Sequence, residues 1–553
     1  MNVDEMQKEL SRKATREPGH QFENLYDLLW NDQWLRAAWG HVSSNPGRET
    51  AGIDYETMTT FNEPPEKKLA ILREQLKAKT FEPMPVRRVY IPKANGKERP
   101  LGIPTIADRV VQEALRMILE PIWEADFSMH SYGFRPNRST YDAVTYLGKR
   151  LTGNSGQGYQ WVIEGDITRY FDTIPHRRLI KAVKKRVADR DIRDLLWKFL
   201  RAGVMEGKTE KDTLTGTPQG GIVSPLLANI YLHALDTYME SNYLSLTGIQ
   251  RKRKRRKGQG NFLYVRYADD FVVLCNGTKA EAQAMKEELG ALLGTMGLQL
   301  SEEKTKVTHI TEGFDFLGYR IIRSIGTSGK MAPKVLIPDK AIKKFQYKMR
   351  GILAPSTTSE STSAKMQAQN WLTRGWCEYY RCTSSPSEVF NRIGHELFWN
   401  MAHWLGRKYK LSMPAVMQRF EEGSTFRITT ARLVIPSEYK AKKSLAKTWH
   451  NPYTGKEKIA REDIFSYDDL WTGYANRQGQ GDLREEAILL KGTTCNICGT
   501  ELHPYEVVVD HIRPRSMFKD VEEGDRMGNL QILCTPCNRA KTKTDLKVLS
   551  RMR

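Results

Sequence analysis

No apolar run approaches the roughly 18–20 residues that a bilayer-spanning helix needs, so no segment is expected to cross a membrane. Cysteine is scarce and odd in number, seven in 553 residues, which argues against a disulfide framework. No repeat of fixed period is present, which excludes a solenoid. The opening MNVDEMQKEL is polar and of mixed charge, unlike a secretory signal or an acid-poor transit peptide. Acidic side chains are in deficit: 65 Asp and Glu face 86 Lys and Arg, a formal charge of +21. A solvated surface needs no such imbalance. It points to a polyanionic partner, nucleic acid ahead of a membrane surface. What is present is 40% hydrophobic residues, enough for real cores. At about 150 residues per domain, the length suggests three or four domains.

Hydrophobic spacing sketches the elements. Residues 22–42, with Trp30, Trp34 and Trp39, read as helix, then NPGRETAGID as a loop. Lys67 to Lys79 reads as a second helix, VRRVYI (86–91) as a strand, PKANGKERP as a turn, and Asp108 to Phe127 as helix. WVIEGDI is a short apolar strand ending at an aspartate. TPQGGIVSPLLANIYLHALDTYM is a glycine-rich turn feeding a long helix. The like-charge run RKRKRRK (251–257) is expected to be a mobile solvated loop that can touch phosphate. Residues 354–365, poor in apolar side chains, are expected to be a linker, with helix from Trp371 to Tyr409. Cys275, Cys377 and Cys382 are scattered and expected to be core or neutral surface thiols.

FLYVRYADDFVVLC reads as a β-hairpin whose tip carries Asp269 and Asp270. If its strands neighbour the one ending at Asp166, three carboxylates converge at one sheet edge. Hard oxygen ligands of this kind suit Mg²⁺, which shares substrate phosphates. Two such ions can activate a 3′-oxygen and stabilise the leaving oxygen in phosphoryl transfer. A solvated pair of turn acids is the bland alternative, but apolar strands on both sides make it costly.

At these residues the chain resembles a known family. YADD (267–270), with GDITRYFD (165–172) before it, is similar to the palm of reverse transcriptases. Five further blocks follow the order seen in group II intron-encoded reverse transcriptases. They are IPKANGKERPLGIPTIADRVVQEAL (91–115), SYGFRPNRSTYDAV (131–144), GTPQGGIVSPLLANIYLHALD (216–236), GLQLSEEKTKV (297–307) and FDFLGY (314–319). The resemblance implies a right-hand polymerase of mixed α/β class, with fingers and palm over 81–345 and an N-terminal extension over 1–80 that holds template or intron RNA. It implies Asp166, Asp269 and Asp270 as holders of catalytic Mg²⁺. It implies Arg87 and Lys93 at the incoming dNTP, Phe171 against a ribose 2′-hydroxyl, and Gln219 beside the nascent base pair.

NWLTRGWCEYYR (370–381) and VFNRIGHELFWNMAHWLGRKY (389–409) resemble the α-helical maturase, or thumb, domain, here taken as 346–436. Interleaved Trp, Tyr and Arg suit base stacking and phosphate contact, although any single Trp also suits a core. Lys440, Lys442, Lys443, Lys447, Lys456 and Lys458 lie in a basic region, 437–482, where relatives have DNA binding.

Cys495-x-x-Cys498 and Cys534-x-x-Cys537 have the spacing of a Cys₄ zinc site, on which a small domain (483–553) would lean for stability. VVVDHIRPRS (507–516), GNLQIL (528–533) and Asn538 after the last cysteine resemble the HNH nucleases, a ββα-metal fold set in a zinc frame. That implies His511 as general base, Asp510 and Asn538 as ligands of one Mg²⁺, and Asn529 as the residue orienting the His511 ring. Asn538 stands where the named motif has His. An oxygen ligand there favours a hard cation.

Together the parts imply a group II intron-encoded protein that binds its intron RNA, promotes splicing, nicks target DNA and extends the freed end with dNTPs. It would reside in the cytoplasm of a bacterial-type cell as a nucleoid-associated ribonucleoprotein. Two other readings stay open on residues alone. One is a splicing factor with dead catalysis, opposed by the intact Asp166, Asp269, Asp270 and His511. The other is a free-standing reverse transcriptase, opposed by the HNH tail.

Overall fold

A computed structural model describes residues 2–442 except 63, 93–95, 97, 152–157, 207–208, 212–214, 218–219 and 326–330. Beyond these it describes 451–454, 487, 491–502, 507–514, 517, 527–534, 537–538, 540–541 and 544. The chain forms two compact units, Met1–Leu246 with Arg251–Glu457, and Thr247–Gln250 with Lys458–Arg553. Among the described residues no helix is long and apolar enough to cross a membrane.

Helices α1 (Val3–Arg16), α2 (Asp32–Ser44), α3 (Met58–Phe61) and α4 (Pro65–Lys77) precede the hairpin β1 (Val86–Pro92) and β2 (Glu98–Ile103). Helices α5 (Ile106–Glu124) and α6 (Thr140–Arg150) lead to β3 (Trp161–Gly165). Then come α7 (Tyr170–Thr173), α8 (His176–Lys184), α9 (Arg190–Arg201), β4 (Val204–Glu206) and β5 (Thr209–Lys211). Helices α10 (Ser224–Met239) and α11 (Gly248–Arg256) are followed by β6 (Phe262–Tyr267), β7 (Asp270–Cys275), α12 (Lys279–Thr295) and β8 (Lys306–His309). Strands β9 (Phe314–Phe316), β10 (Tyr319–Ile325) and β11 (Met331–Leu336) form an antiparallel sheet. Helices α13 (Asp339–Ile352), α14 (Thr362–Tyr380), α15 (Pro386–Tyr409) and α16 (Met413–Phe420) follow.

The central antiparallel sheet has the order β6-β7-β3-β8. Its strands β6 and β7 are apolar at nearly every position because both faces are covered. Phe262, Tyr264, Phe271 and Val273 enter one core with α5, α8, α9 and α10. Leu263, Val265, Val272 and Leu274 enter a second core with α13, α14 and α15. Alternate side chains of a strand point to opposite faces, so one continuous apolar run serves two cores. A second sheet, β2-β1-β4-β5, pairs β1 parallel to β4.

Three expectations are corrected. The helix read over 22–42 begins at Asp32, not Phe22: the Asn31 side chain accepts from the amides of Gln33 and Trp34 at 3.1 and 3.3 Å, while Phe22 makes a parallel bridge with Val187. The basic run 251–257 is helical through Arg256 rather than a loop. Arg251 donates to the carbonyls of Leu246 and Leu244 at 2.9 and 2.6 Å, and Lys254 lies over the Tyr243 ring. Residues 354–365 are packed, not a linker. Trp404 Nε1 donates to Thr357 Oγ1 at 3.1 Å, and Lys408 Nζ donates to the carbonyls of Thr358 and Glu360 at 2.8 Å each. Lys365 is buried on α14 and pairs with Glu360.

Candidate functional site

β3 runs antiparallel to β7 with Gly165 opposite Phe271, so Asp166, the next residue, stands opposite Asp270. The Phe271 ring lies over Gly165, where any Cβ would collide with it. In the β6–β7 hairpin Tyr267 pairs with Asp270, leaving Ala268 and Asp269 as a two-residue turn. Ala268 has φ +57°, the left-handed region that primed hairpin turns require. Alanine does not favour it, so the surroundings must hold it.

They do so through a buried arginine. Arg266 Nη1 donates to the Ala268 carbonyl and to Asn229 Oδ1, both at 2.9 Å. Its Nε and Nη2 grip the Asp236 carboxylate at 2.7 and 2.5 Å, and both side chains of that ion pair are 0% exposed. Tyr264 donates to Asp236 at 3.0 Å, and Asn229 Nδ2 donates to the Gly133 carbonyl at 2.8 Å. A Cβ on Gly133 would strike the Ala268 backbone, so glycine is required for the close approach.

The three carboxylates hold more negative charge than their surroundings balance. Burial, then the charges of Asp269 and Asp166 and a hydrogen bond to Asp166, push Asp270 up to about 7. Burial raises Asp269 as well, against the opposing charges of Lys304 and Arg99. Lys304 Nζ lies 2.9 Å from Asp166 Oδ2 and holds its proton more tightly for it. Its loop is tied to the site by Ser301 N donating to the Asp166 carbonyl at 2.8 Å. Buried hard oxygens with too few cations fit a divalent metal of the Mg²⁺ type.

Phe171 sits on α7, just past Asp166, edge-on to Phe134 with ring centroids 6.2 Å apart. Arg87 lies on β1, its Nε and Nη2 donating to the Ala51 carbonyl at 3.1 and 2.7 Å. Lys93 and Gln219 lie outside the described residues. The sequence reading missed Lys304, Arg99 and Arg266. Lys304 and Arg99 fall inside motif blocks and Arg266 directly precedes YADD, and a charge in or beside such a block was the available signal.

In the second unit the Sγ atoms of Cys495, Cys498, Cys534 and Cys537 gather within 4.8 Å. The Cys534 amide points at Cys495 Sγ at 3.3 Å and the Cys537 amide at Cys534 Sγ at 3.5 Å. Burial works against ionising Cys495, yet the amides of Cys498, Cys534 and Ile497 outweigh it and lower the thiol. Hydrogen bonding to Cys534, then burial, raises Cys537. Four soft donors in this arrangement are compatible with zinc. Strand β12 (Val508–His511) pairs antiparallel with β13 (Leu530–Leu533), placing His511 opposite Leu530. Lys541 Nζ lies 3.1 Å from Asp510 Oδ2. Asn529 pins the backbone two residues past His511: its Oδ1 accepts from Arg513 N at 2.9 Å and its Nδ2 donates to Arg513 O at 3.0 Å. The Asn538 amide donates to the Cys534 carbonyl at 2.9 Å, which ties that residue to the cysteine frame.

Three family patterns match along the chain. They are reverse transcriptase (RNA-dependent DNA polymerase) at residues 91–321, the group II intron maturase-specific domain at 342–420, and HNH endonuclease at 495–544. Protein YkfC of Escherichia coli (strain K12) is 41% identical over 64% of this chain and 97% of its own length. Nuclear intron maturase 2, mitochondrial, of Arabidopsis thaliana is 24% identical over 57% of this chain and 54% of its own. Group II intron-encoded protein LtrA of Lactococcus lactis subsp. cremoris is 31% identical over 96% of this chain and 97% of its own length. Similarity of that extent, running through polymerase, maturase and nuclease regions in one order, makes this chain a member of the group II intron-encoded proteins, with reverse transcriptase, maturase and HNH endonuclease domains.

Proposed function

We propose that this protein carries its own intron RNA through splicing and then into DNA by target-primed reverse transcription. The observation that carries the reading is the sheet register that sets Asp166 opposite Asp270, beside the turn bearing Asp269. In this reading β1 and β2 belong to fingers, the central sheet is the palm, and α13–α15 form the thumb. Asp166, Asp269 and Asp270 hold Mg²⁺, which when bound lowers the barrier for 3′-oxygen attack and stabilises the departing pyrophosphate. Lys304 balances Asp166 until the metals and the dNTP arrive. Phe171 and Phe134 form an aromatic wall suited to excluding a ribose 2′-hydroxyl, Arg87 and Lys93 meet the triphosphate, and Gln219 lies beside the nascent pair.

In the second unit, zinc on the four cysteines frames the strand that ends in Asp510 and His511. His511 takes a proton from the attacking water, while Asp510 and Asn538 hold a hard cation at the scissile phosphate. Asn529 fixes the loop that follows His511. This centre nicks the DNA strand opposite the inserted RNA, freeing the primer end that the polymerase extends. Intron RNA, target DNA and dNTPs are the partners, in a ribonucleoprotein of the cytoplasm.

The experiment is Asp269→Ala, assayed by primer extension on poly(rA)/oligo(dT) and by intron splicing. The variant loses a metal carboxylate and none of the basic surface, so cDNA synthesis should vanish and splicing should persist. Continued polymerisation would sink the assignment.

A further inference from the structure

The turn between β9 and β10 has a shape that its residues do not all favour. Leu317 has φ +49° and Gly318 φ +75°, two left-handed residues in succession. Glycine enters that region freely, whereas leucine stays there only where neighbours hold it. The neighbours here lie 62 residues further on, at the end of α14. Tyr379 Oη donates to the Leu317 carbonyl at 2.6 Å, and Tyr380 Oη donates to the Gly318 carbonyl at 3.1 Å. The bonding is reciprocal, because Tyr319 Oη donates to the Tyr379 carbonyl at 2.6 Å. The Tyr319 and Tyr379 rings stack, with centroids 5.0 Å and planes 15° apart.

Packing does not account for this clasp. Tyr319 and Tyr380 are buried, but Tyr379 keeps 37% of its surface in water. A phenylalanine would serve packing equally well. What the tyrosines add is two successive hydroxyls aimed at two successive carbonyls.

The clasp abuts the aspartate hairpin. Burial raises the Tyr379 hydroxyl, a hydrogen bond from Thr140 opposes the rise, and the phenol of Tyr267 adds to it. Tyr267 begins YADD and pairs with Asp270 across the hairpin. Leu317 and Tyr267 pack against the same core. At the other end of β9, the Asp315 amide bonds the carboxylate of Glu164, two residues before Asp166. Successive residues of β6 point to opposite faces, so Arg266 holds the hairpin from the α10 side while Tyr267 faces the α14 side.

We infer that Tyr379 and Tyr380 are positioning residues for DNA synthesis: by holding the Leu317–Gly318 turn beside Tyr267, they set the Asp269–Asp270 hairpin from the side opposite Arg266. The clasp joins two family regions, since the turn lies in the reverse transcriptase match and both tyrosines in the maturase match. The inference rests on the metal-holding role proposed for Asp269 and Asp270 and adds residues that place them.

The test is steady-state primer extension on poly(rA)/oligo(dT) by the full-length protein, with melting temperature and intron RNA affinity measured beside it. Tyr379→Phe/Tyr380→Phe keeps both rings and removes both hydroxyls. Its kcat should fall about 10-fold, because two hydrogen bonds no longer hold the turn, while the KM for dNTP stays within about twofold. Melting temperature should stay within about 3 °C of wild type and intron RNA affinity within about twofold. Gly318→Ala strains the same turn without touching α14. Its added Cβ would come no nearer than 3.5 Å to either hydroxyl, but it must adopt φ +75°. It should show the same split, with kcat down about 5-fold or more.

Wild-type kcat in either variant overturns the proposal. A raised KM with unchanged kcat would assign the turn to nucleotide binding and overturn it too. So would a larger drop in melting temperature or a parallel loss of intron RNA affinity, which would make the tyrosines general supports of the fold. Continued polymerisation by Asp269→Ala would sink the proposed function itself, a result separate from anything the tyrosine variants do.

Discussion

Arg266 shows how a buried residue can fix the turn that bears the candidate metal-holding aspartates. Burying an arginine and an aspartate completely is expensive unless every donor is met. Here the donors are spent on Asp236, Asn229 and the carbonyl of Ala268, the left-handed residue of the Ala268–Asp269 turn. Lysine can reach Asp236 but cannot also supply Asn229 and Ala268. Arg266→Lys should therefore cut the kcat of primer extension roughly 10²-fold, with a smaller change in the KM for dNTP, because misplacement by about 1 Å costs that much. Splicing is the control: if it falls in parallel, the arginine supports the fold in general and not the turn. The paired aspartates were legible in the sequence because apolar strands flank them. Lys304 and Arg99 were not, because only the loop returning along Asp166 and the chain around Asp269 bring their charges there.

Among the elements, α5 carries a titratable device at its start. Thr105 caps the helix by accepting from the Asp108 amide at 3.1 Å, and Asp108 Oδ2 accepts from Thr105 Oγ1 at 2.7 Å and from the Met84 amide at 3.3 Å. Burial pushes Asp108 up to about 7 in spite of these bonds. An unfolded carboxyl ionises near 3.8, so between about pH 4 and 7 the folded protein binds the extra proton. Stability from this group is full at low pH and is lost as pH rises through 7. Asp108→Asn keeps the acceptor and removes the charge. Its melting temperature should exceed that of wild type by about 3 °C or more at pH 8 and match it only near pH 4, below which both folded and unfolded carboxyls are protonated. Equal melting temperatures at both values would show that Asp108 is not held protonated. Strands and most helices were legible from periodicity, whereas α11 and residues 354–365 were misread for a common reason. Composition reports solvation, and in both segments single long-range or carbonyl-directed hydrogen bonds outweigh it.

At the scale of the molecule, two large cores share the central sheet, and the cysteine module has a small core of its own built on Cys495, Leu502, Val507, Leu530, Ile532 and Leu533. Among the described residues that core is small, so a metal held by the four cysteines would contribute much of the module's stability. Cys495→Ser should lower zinc from about one per chain to none and abolish second-strand nicking, while His511→Ala abolishes nicking and keeps the zinc. Elemental analysis with a nicking assay separates the two, and zinc loss from His511→Ala would make that histidine structural. Primer extension should survive both changes, since neither touches the cores around the central sheet. Chemistry that resides in residue type and local spacing was determined by the sequence alone: paired acids between apolar strands, two CxxC knuckles, the basic excess and the order of the motif blocks. Tertiary structure alone decided which acid faces which, that Lys304 neutralises Asp166, that Arg266 locks the turn, and that Tyr379 and Tyr380 reach the turn between β9 and β10. Those outcomes depend on strand register and on packing between distant segments, and no local period encodes either.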